Sequence, residues 1–502
     1  MITFRNTGGE IMLSKLEAAN QYIRQHRHRV TNRPHFHFAA EIGWINDPNG
    51  FIYHNGEYHL FYQYNPYSTR WSDMHWGHAT TTDFVRWNYK PVALANDRPY
   101  DANGCFSGSA VEKDGKLHLL YTGHVAGEDG QVVQRQCLAV SEDGVHFEKH
   151  PGNPVIGEKE LPERYMLCDF RDPKVWKEKD SYYCVLAVRN ERRRGEIIMF
   201  ESKDLIEWRF HSSIYQTAED QNMLLECPDL FHLDGKDVLI FSVMPCDPEY
   251  AGQVTHHVAY AIGTLDYGTG RFEAESQGIL DEGPSFYAPQ TACGPDGERL
   301  LIGWMPSWNQ GELPEAFAFN GMMSIPRLLA VQDRKLLQKP FLPTGDDFAL
   351  QVCGEVSLSS AQEQVVLESR SGHILLELNK SELDELKGNV LAFHLQRKDD
   401  QAITVELDAA AEQISVRSDY ADGRDYRLDV RMDEGLVLEL FVDLYAVELF
   451  VNRGEKVFTA TSYAPKGSVS TVSAAQPVRL GKLESRMFRH GGSGKSHSIV
   501  TV

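Results

Sequence analysis

Three acidic residues open three similar stretches of this chain: Asp47 in WINDPNG, Asp172 in FRDPKV and Glu226 in ECPDL. Carboxyl groups gathered in one site repel one another unless some are protonated. That repulsion splits their pKa values and separates an acid from a nucleophile. Two carboxyl groups about 5–5.5 Å apart suit cleavage of a glycosidic bond with retention, one attacking the anomeric carbon and the other protonating the leaving oxygen. A metal site or a pure sugar-binding site could present the same three residues.

The chain must bring together groups remote in sequence, and its repeats say how. Five segments share one plan: NDPNGFIYHNGEYHLFYQY from Asn46, FSGSAVEKDGKLHLLYTG from Phe106, FRDPKVWKEKDSYYCVLAV from Phe170, ECPDLFHLDGKDVLIFSVM from Glu226 and YAPQTACGPDGERLLIGWM from Tyr287. Each begins with a polar motif, runs into a strand, turns at a pair such as Asn-Gly or Asp-Gly, and returns as an aromatic and aliphatic strand. Echoes further along, TTDFVRW at 81–87, SEDGVHF at 141–147 and SKDLIEW at 202–208, mark the outer strands. Repeated four-stranded units at a spacing of roughly 55–65 residues predict a five-bladed β-propeller over 40–345. In a propeller the first strand of every blade starts at one mouth of the central channel. Asp47, Asp172 and Glu226 would meet there, with Gln63 at the end of the returning strand of the first blade.

Around the propeller, residues 1–39 read as a helical or extended lead-in, with a short helix within Leu13 to Arg29. From 350 to 490, alternating runs such as AITVELD and LVLELFVD predict a β-sandwich. The Gly/Ser-rich end, 491–502, reads as a flexible tail. The fold class is therefore all-β, a propeller followed by a sandwich.

Composition narrows the partners. The 502 residues exceed the size of one ordinary core. A net charge of −21 disfavours nucleic acid. No run of ~18 apolar residues marks a membrane span, and no signal peptide is visible at the start. The eight scattered cysteines contain no CxxC pair and fit reduced, mostly buried thiols. A cytoplasmic location is the simplest expectation. The histidines, including His256-His257 and the HFHF run at 35–38, lack ligand spacing and read as packing residues. No catalytic metal and no cofactor are expected; the partner is a small-molecule sugar, and the chain could form a homodimer.

The motifs are more specific than the repeats. GWINDPNG at 43–50, QYNP at 63–66, FSGSA at 106–110, FRDPKV at 170–175, ECPDL at 226–230, YAPQT at 287–291 and GWMPSW at 303–308 occur in this order. Together they resemble glycoside hydrolase family 32, the invertases, sucrose-6-phosphate hydrolases and fructanases. The resemblance spans nearly the whole chain, including FVDLYAVELFVNRG in the sandwich. It implies that Asp47 is the nucleophile attacking C2 of a fructosyl unit, that Glu226 is the general acid/base, and that Asp172 stabilises the transition state. Arg171 would hold Asp172 ionised. Trp44, Asn46, Gln63, Trp71, Phe106, Ser107, Tyr287 and Trp308 would line the fructose pocket with Arg171. The implied activity is hydrolysis of terminal β-D-fructofuranosides, sucrose above all, or sucrose 6-phosphate and short fructo-oligosaccharides, through a covalent intermediate. A fructosyltransferase with the same carboxylates and a non-catalytic fructan-binding propeller are the rival readings.

Two features stand apart. Cys227 adjoins Glu226 but has no histidine partner, so inert packing is expected. Glu191-Arg192-Arg193-Arg194 falls in the turn after the second strand of the third blade, on the side of the carboxylates. Its guanidinium forks could take a phosphate.

Overall fold

Asn-Gly and Asp-Gly pairs build the tight returns that give the blades their shape. Asn55-Gly56, Asp114-Gly115 and Asp234-Gly235 all have positive φ at both positions, as a two-residue hairpin turn with the strand's own twist requires. The computed structural model describes residues 2–6, 9–218, 222–246, 255–309, 315–342, 347–360, 362–419, 423–462 and 465–489. The tail expected at 491–502 lies outside the described residues.

Residues 43–340 form a five-bladed β-propeller. Blade I comprises Gly43–His54, Glu57–Asn65, His75–Thr81 and Asn88–Tyr89. Blade II comprises Gly104–Lys113, Lys116–Ala126, Val132–Ser141 and Glu148–Lys149. Blade III runs Arg171–Glu178, Ser181–Arg189, Gly195–Ser202 and Trp208–Gln216. Blade IV runs Met223–Leu233, Lys236–Pro245, His257–Asp266 and Arg271–Ile279. Blade V is built from Tyr287–Cys293, Arg299–Met305, Arg327–Gln332 and Lys335–Pro340. Within each blade the strands are antiparallel neighbours. Second strands are packed between adjacent blades, so Ser181–Arg189 is buried along almost its whole length instead of alternating.

The outer echoes are one recurring turn. Asp83, Asp143 and Asp204 each accept two backbone N–H bonds from residues two and three further on. The intervening Phe84, Gly144 and Leu205 all have positive φ. Ring closure comes from a strand that is too short to read in the sequence. Phe319–Asn320, from the long crossing in blade V, pairs in parallel with Gly43 and Trp44 of blade I.

The sandwich consists of two six-stranded sheets. Strands such as Gln401–Asp408 alternate buried and exposed residues, and the inward Leu, Ile and Val side chains form one core between the sheets. Ahead of the propeller, Ser14 caps the helix Lys15–His26 in a reciprocal capping box with Glu17.

A buried ionic network joins the lead-in, blade V and the sandwich. His37 places Nδ1 3.0 Å from Asp443 and Nε2 3.0 Å from Glu448. Glu448 also accepts from Arg327 at 2.8 Å, and Arg327 donates to Asp281 at 2.8 Å. Burial alone would lower the imidazole pKa, but Asp443 and Glu448 hold it up to about 9. The folded pKa exceeds the unfolded one, so this stabilisation is complete below pH ~6.5 and is lost as pH rises through about 9. We expect wild-type stability to fall by on the order of 2–3 kcal/mol across that window. His37→Gln should start lower and show a flat alkaline limb in urea melts. A parallel alkaline fall in the variant would contradict this.

Candidate active site

Each first strand meets the channel mouth at a break in its ladder. The pairing irregularities fall between Ile45 and Pro48, Phe106 and Gly108, Arg171 and Lys174, Glu226 and Asp229, and Tyr287 and Gln290. A bulge turns a side chain away from the plain alternation of a strand. Asp172, Cys227 and Ala288 sit in the left-handed region at these breaks, with φ of 62, 49 and 49°. The proline after Asp47, Asp172 or Cys227 has no N–H to offer the ladder at the same point.

The three carboxylates share one cavity of about 540 Å³. Asp47 accepts from the Ser107 hydroxyl at 2.5 Å and from the Asn46 amide at 3.0 Å. Asp172 accepts from the Cys227 backbone N–H at 3.0 Å, and its own N–H donates to Thr122 Oγ1. The Cys227 sulfur lies 3.6 Å from a carboxylate oxygen of both Asp47 and Asp172. Glu226 accepts from Arg171 at 2.7 and 3.2 Å on Oε1 and from Tyr287 at 2.7 Å on Oε2.

These surroundings move the protons. Burial raises the Asp47 pKa, opposed by the Ser107 and Asn46 donors, while Glu226 adds to the rise. Burial pushes Asp172 up to about 7; Arg171 opposes this, and the charges of Glu226 and Asp47 reinforce it. Burial, with Glu226 beside it, keeps the Tyr287 hydroxyl protonated far above its usual range, so it is a fixed donor. Burial likewise raises the Cys227 thiol well above its normal value, which matches an inert packing residue.

Asn46, Gln63, Trp71, Phe106, Ser107, Arg171, Tyr287 and Trp308 line this cavity with the carboxylates. Trp71 and Trp308 are 46% and 41% exposed, so their rings form an open rim. Trp44 does not line it. Trp44 is 4% exposed and sits behind Asn46, its indole N–H donating to the Asn46 side-chain Oδ1 at 2.8 Å. The bulge after Ile45 turns Asn46 and Asp47 toward the opening and leaves Trp44 as their backing. Arg171 also differs from expectation. Its guanidinium is 3.9 Å from Asp172 but 2.7 Å from Glu226. With the cation on Glu226, burial dominates Asp172. The arginines at 192–194 are not among the lining residues. Arg194 donates to the Thr217 carbonyl, while Arg192 and Arg193 are exposed.

The lining also holds His124, Val132, Gln134, Cys168, Met244 and His256. The rule that places Gln63 at the mouth also locates two of them, since His124 and Met244 lie near the ends of second strands. His124 stacks flat on Phe106 at 4.0 Å, and burial with Arg171 nearby lowers its pKa to about 4, so it is neutral. Gln134 bridges His124 and Arg171 at 3.2 and 3.4 Å. Among the described residues, no group of three or more His, Cys, Asp or Glu side chains is arranged to hold a metal ion.

Comparisons with known proteins agree with this architecture. The family profile for the glycosyl hydrolases family 32 N-terminal domain matches residues 37–340, and that for the family 32 C terminal matches 351–484. A sucrose-6-phosphate hydrolase of Escherichia coli is 34% identical over 90% of this chain and 94% of its own length. A raffinose invertase of Escherichia coli is 33% identical over 86% of this chain and 89% of its own. A solved β-fructofuranosidase of Bombyx mori in complex with sucrose superposes with a TM-score of 0.82 at 32% identity, covering 94% of this chain and 98% of that one. The chain belongs to glycosyl hydrolases family 32.

Proposed function

We propose that Asp47, Asp172 and Glu226 are the catalytic residues of a retaining β-fructofuranosidase that acts on sucrose or its 6-phosphate. The observation that carries this reading is their convergence: three carboxyl groups from three blades on one cavity, with Arg171 and Tyr287 as donors to one of them. Asp47 attacks C2 of the fructosyl unit while Glu226 protonates the departing oxygen. A covalent fructosyl-enzyme forms, and Glu226 then takes a proton from the water that resolves it. Asp172 binds sugar hydroxyls and offers negative charge as the ring becomes cationic.

The hydrolysis is read directly from the products of sucrose, sucrose 6-phosphate, kestose and inulin. We expect fructose release from sucrose and its 6-phosphate to exceed that from inulin. Failure to release fructose from any of the four would end the proposal. The eight unpaired cysteines support a reducing, cytoplasmic setting; no helix among the described residues is long and apolar enough to cross a membrane.

Arg171 gives a pH prediction. The trio shares its protons, so its titration belongs to the set. Asp172 must be ionised to stabilise the cationic ring, so the acidic limb of kcat/KM should extend up to near pH 7, where Asp172 titrates. Arg171 favours the ionised carboxylates. Removing it makes Asp172 harder to ionise, so Arg171→Gln should move this acidic limb upward by ~1 unit. A pH–rate profile that overlays wild type would contradict the assigned role.

A further inference from the structure

The first strands of neighbouring blades belong to separate sheets. No backbone ladder therefore sets the spacing between Asp47, Asp172 and Glu226. At each of them the ladder within its own blade is also interrupted. Something else must hold the five strand entries at a fixed separation, and a buried set of polar contacts lies immediately below the breaks.

The contacts form a closed circuit. Between blades I and II, Asn49 accepts from the Gly108 N–H at 3.2 Å. Between II and III, Ser109 donates to the Pro173 carbonyl at 2.7 Å and accepts from the Val175 N–H at 2.9 Å. Between III and IV, Lys174 donates to Asp229 at 2.8 Å. Between IV and V, Asp229 accepts from the Thr291 N–H at 2.7 Å and from its hydroxyl at 3.1 Å. Lys174 also reaches the Thr291 carbonyl at 2.7 Å. Gln290 closes the circuit, accepting from the Phe51 N–H of blade I at 3.1 Å and donating to the Gly108 carbonyl of blade II at 2.6 Å. The approach at Gly108 is close: a Cβ there would fall 2.1 Å from the Leu120 carbonyl oxygen.

The belt members follow the site residues at short intervals: Asp47 then Asn49, Ser107 then Ser109, Asp172 then Lys174, Glu226 then Asp229, Tyr287 then Gln290. Lys174 and Asp229 are 8% and 1% exposed. A buried ion pair adds little net stability, because desolvation offsets its attraction, whereas it can fix one arrangement over others. Catalysis by two carboxyl groups depends on their separation to within about an ångström.

We propose that this belt, with Lys174–Asp229–Thr291 as its ionic link, sets the spacing of the three carboxylates, which makes Lys174 and Asp229 positioning residues for the reaction. The inference rests on the catalytic roles assigned above. The double variant Lys174→Met/Asp229→Asn removes both charges of the ion pair together, so neither partner is left facing an empty place. Thr291→Val is milder and takes one hydroxyl from Asp229. Activity on sucrose is normalised to the folded fraction measured by circular dichroism.

We expect the double variant to lose about 10–100-fold in kcat while KM stays within about threefold. Looser spacing weakens the repulsion between the carboxyl groups, so the two apparent pKa values of its pH–rate profile should draw together. Thr291→Val should show the same narrowing with a smaller loss. A folded double variant with wild-type kcat overturns the proposal. So does a reduced kcat on an unmoved pH profile, which is what a mere loss of active molecules produces. If the double variant does not fold, the pH profile of Thr291→Val decides, and superposition on wild type overturns it. Any of these failures would leave the inactivity of Asp47 and Glu226 variants untouched, whereas retained activity in those variants would strike the catalytic roles themselves.

Discussion

Asp47→Ala should lose at least ~10³-fold in kcat on sucrose while its unfolding temperature stays near that of the wild type. The size of the effect follows from the absence of a substitute among the described lining residues. Asp172 points an oxygen at the Cys227 N–H and is pushed up to about 7, and Glu226 is occupied by Arg171 and Tyr287. The Cys227 thiol lies 3.6 Å from Asp47, yet burial holds it far from ionisation. Asp47 itself is aimed by donors that do not depend on substrate: Ser107 from blade II, and Asn46, fixed in turn by the Trp44 indole. Alanine leaves those donors in place at the edge of an open cavity where water can satisfy them, so the fold should survive. A variant retaining more than a tenth of wild-type kcat would remove Asp47 from the nucleophile's role.

Glu226→Gln should be equally damaging on sucrose, by at least ~10³-fold, and for a different reason. The amide keeps the shape and can still accept from Arg171 or Tyr287, but it has no proton to give a leaving glucosyl oxygen. A fructosyl donor with a leaving group that needs no proton should therefore recover much of the first step. The second step still lacks its base, so azide, a nucleophile that needs no deprotonation, should accelerate turnover and give fructosyl azide. Equal loss on both donors, with no response to azide, would mean that Glu226 does not act as the acid/base.

The propeller was legible because its turns have strict chemistry. Asn55-Gly56, Asp114-Gly115 and Asp234-Gly235 are positions where few other pairs tolerate the backbone. Asp83, Asp143 and Asp204 repeat one side-chain turn at the outer edge. The gathering of the carboxylates followed from strand direction alone. What the sequence withheld depends on the ladder breaks. A bulge has no residue pattern of its own, so the retreat of Trp44 behind Asn46 could not be read from WINDPNG. Nor could the swing of Arg171 from its neighbour Asp172 to Glu226, 55 positions away. The clasp Phe319–Asn320 is two residues long and carries no periodicity. The short helix Lys380–Glu385 did leave a signal, the capping pair Asn379 and Glu382, within a region whose alternating pattern spoke for strands. His124 and Met244 could have been reached by applying to blades II and IV the rule that found Gln63. His256 precedes its strand and gave no such sign.

The most direct measurement follows a fructosyl donor with an activated leaving group on Glu226→Gln, quenched within a few turnovers and mapped by peptide mass. With the first step open and the second slowed, a peptide spanning Asp47 should gain the mass of one fructosyl residue, and Asp47→Ala in the same background should abolish the gain. Steady turnover with no labelled peptide, or the label on a peptide lacking Asp47, would contradict the account.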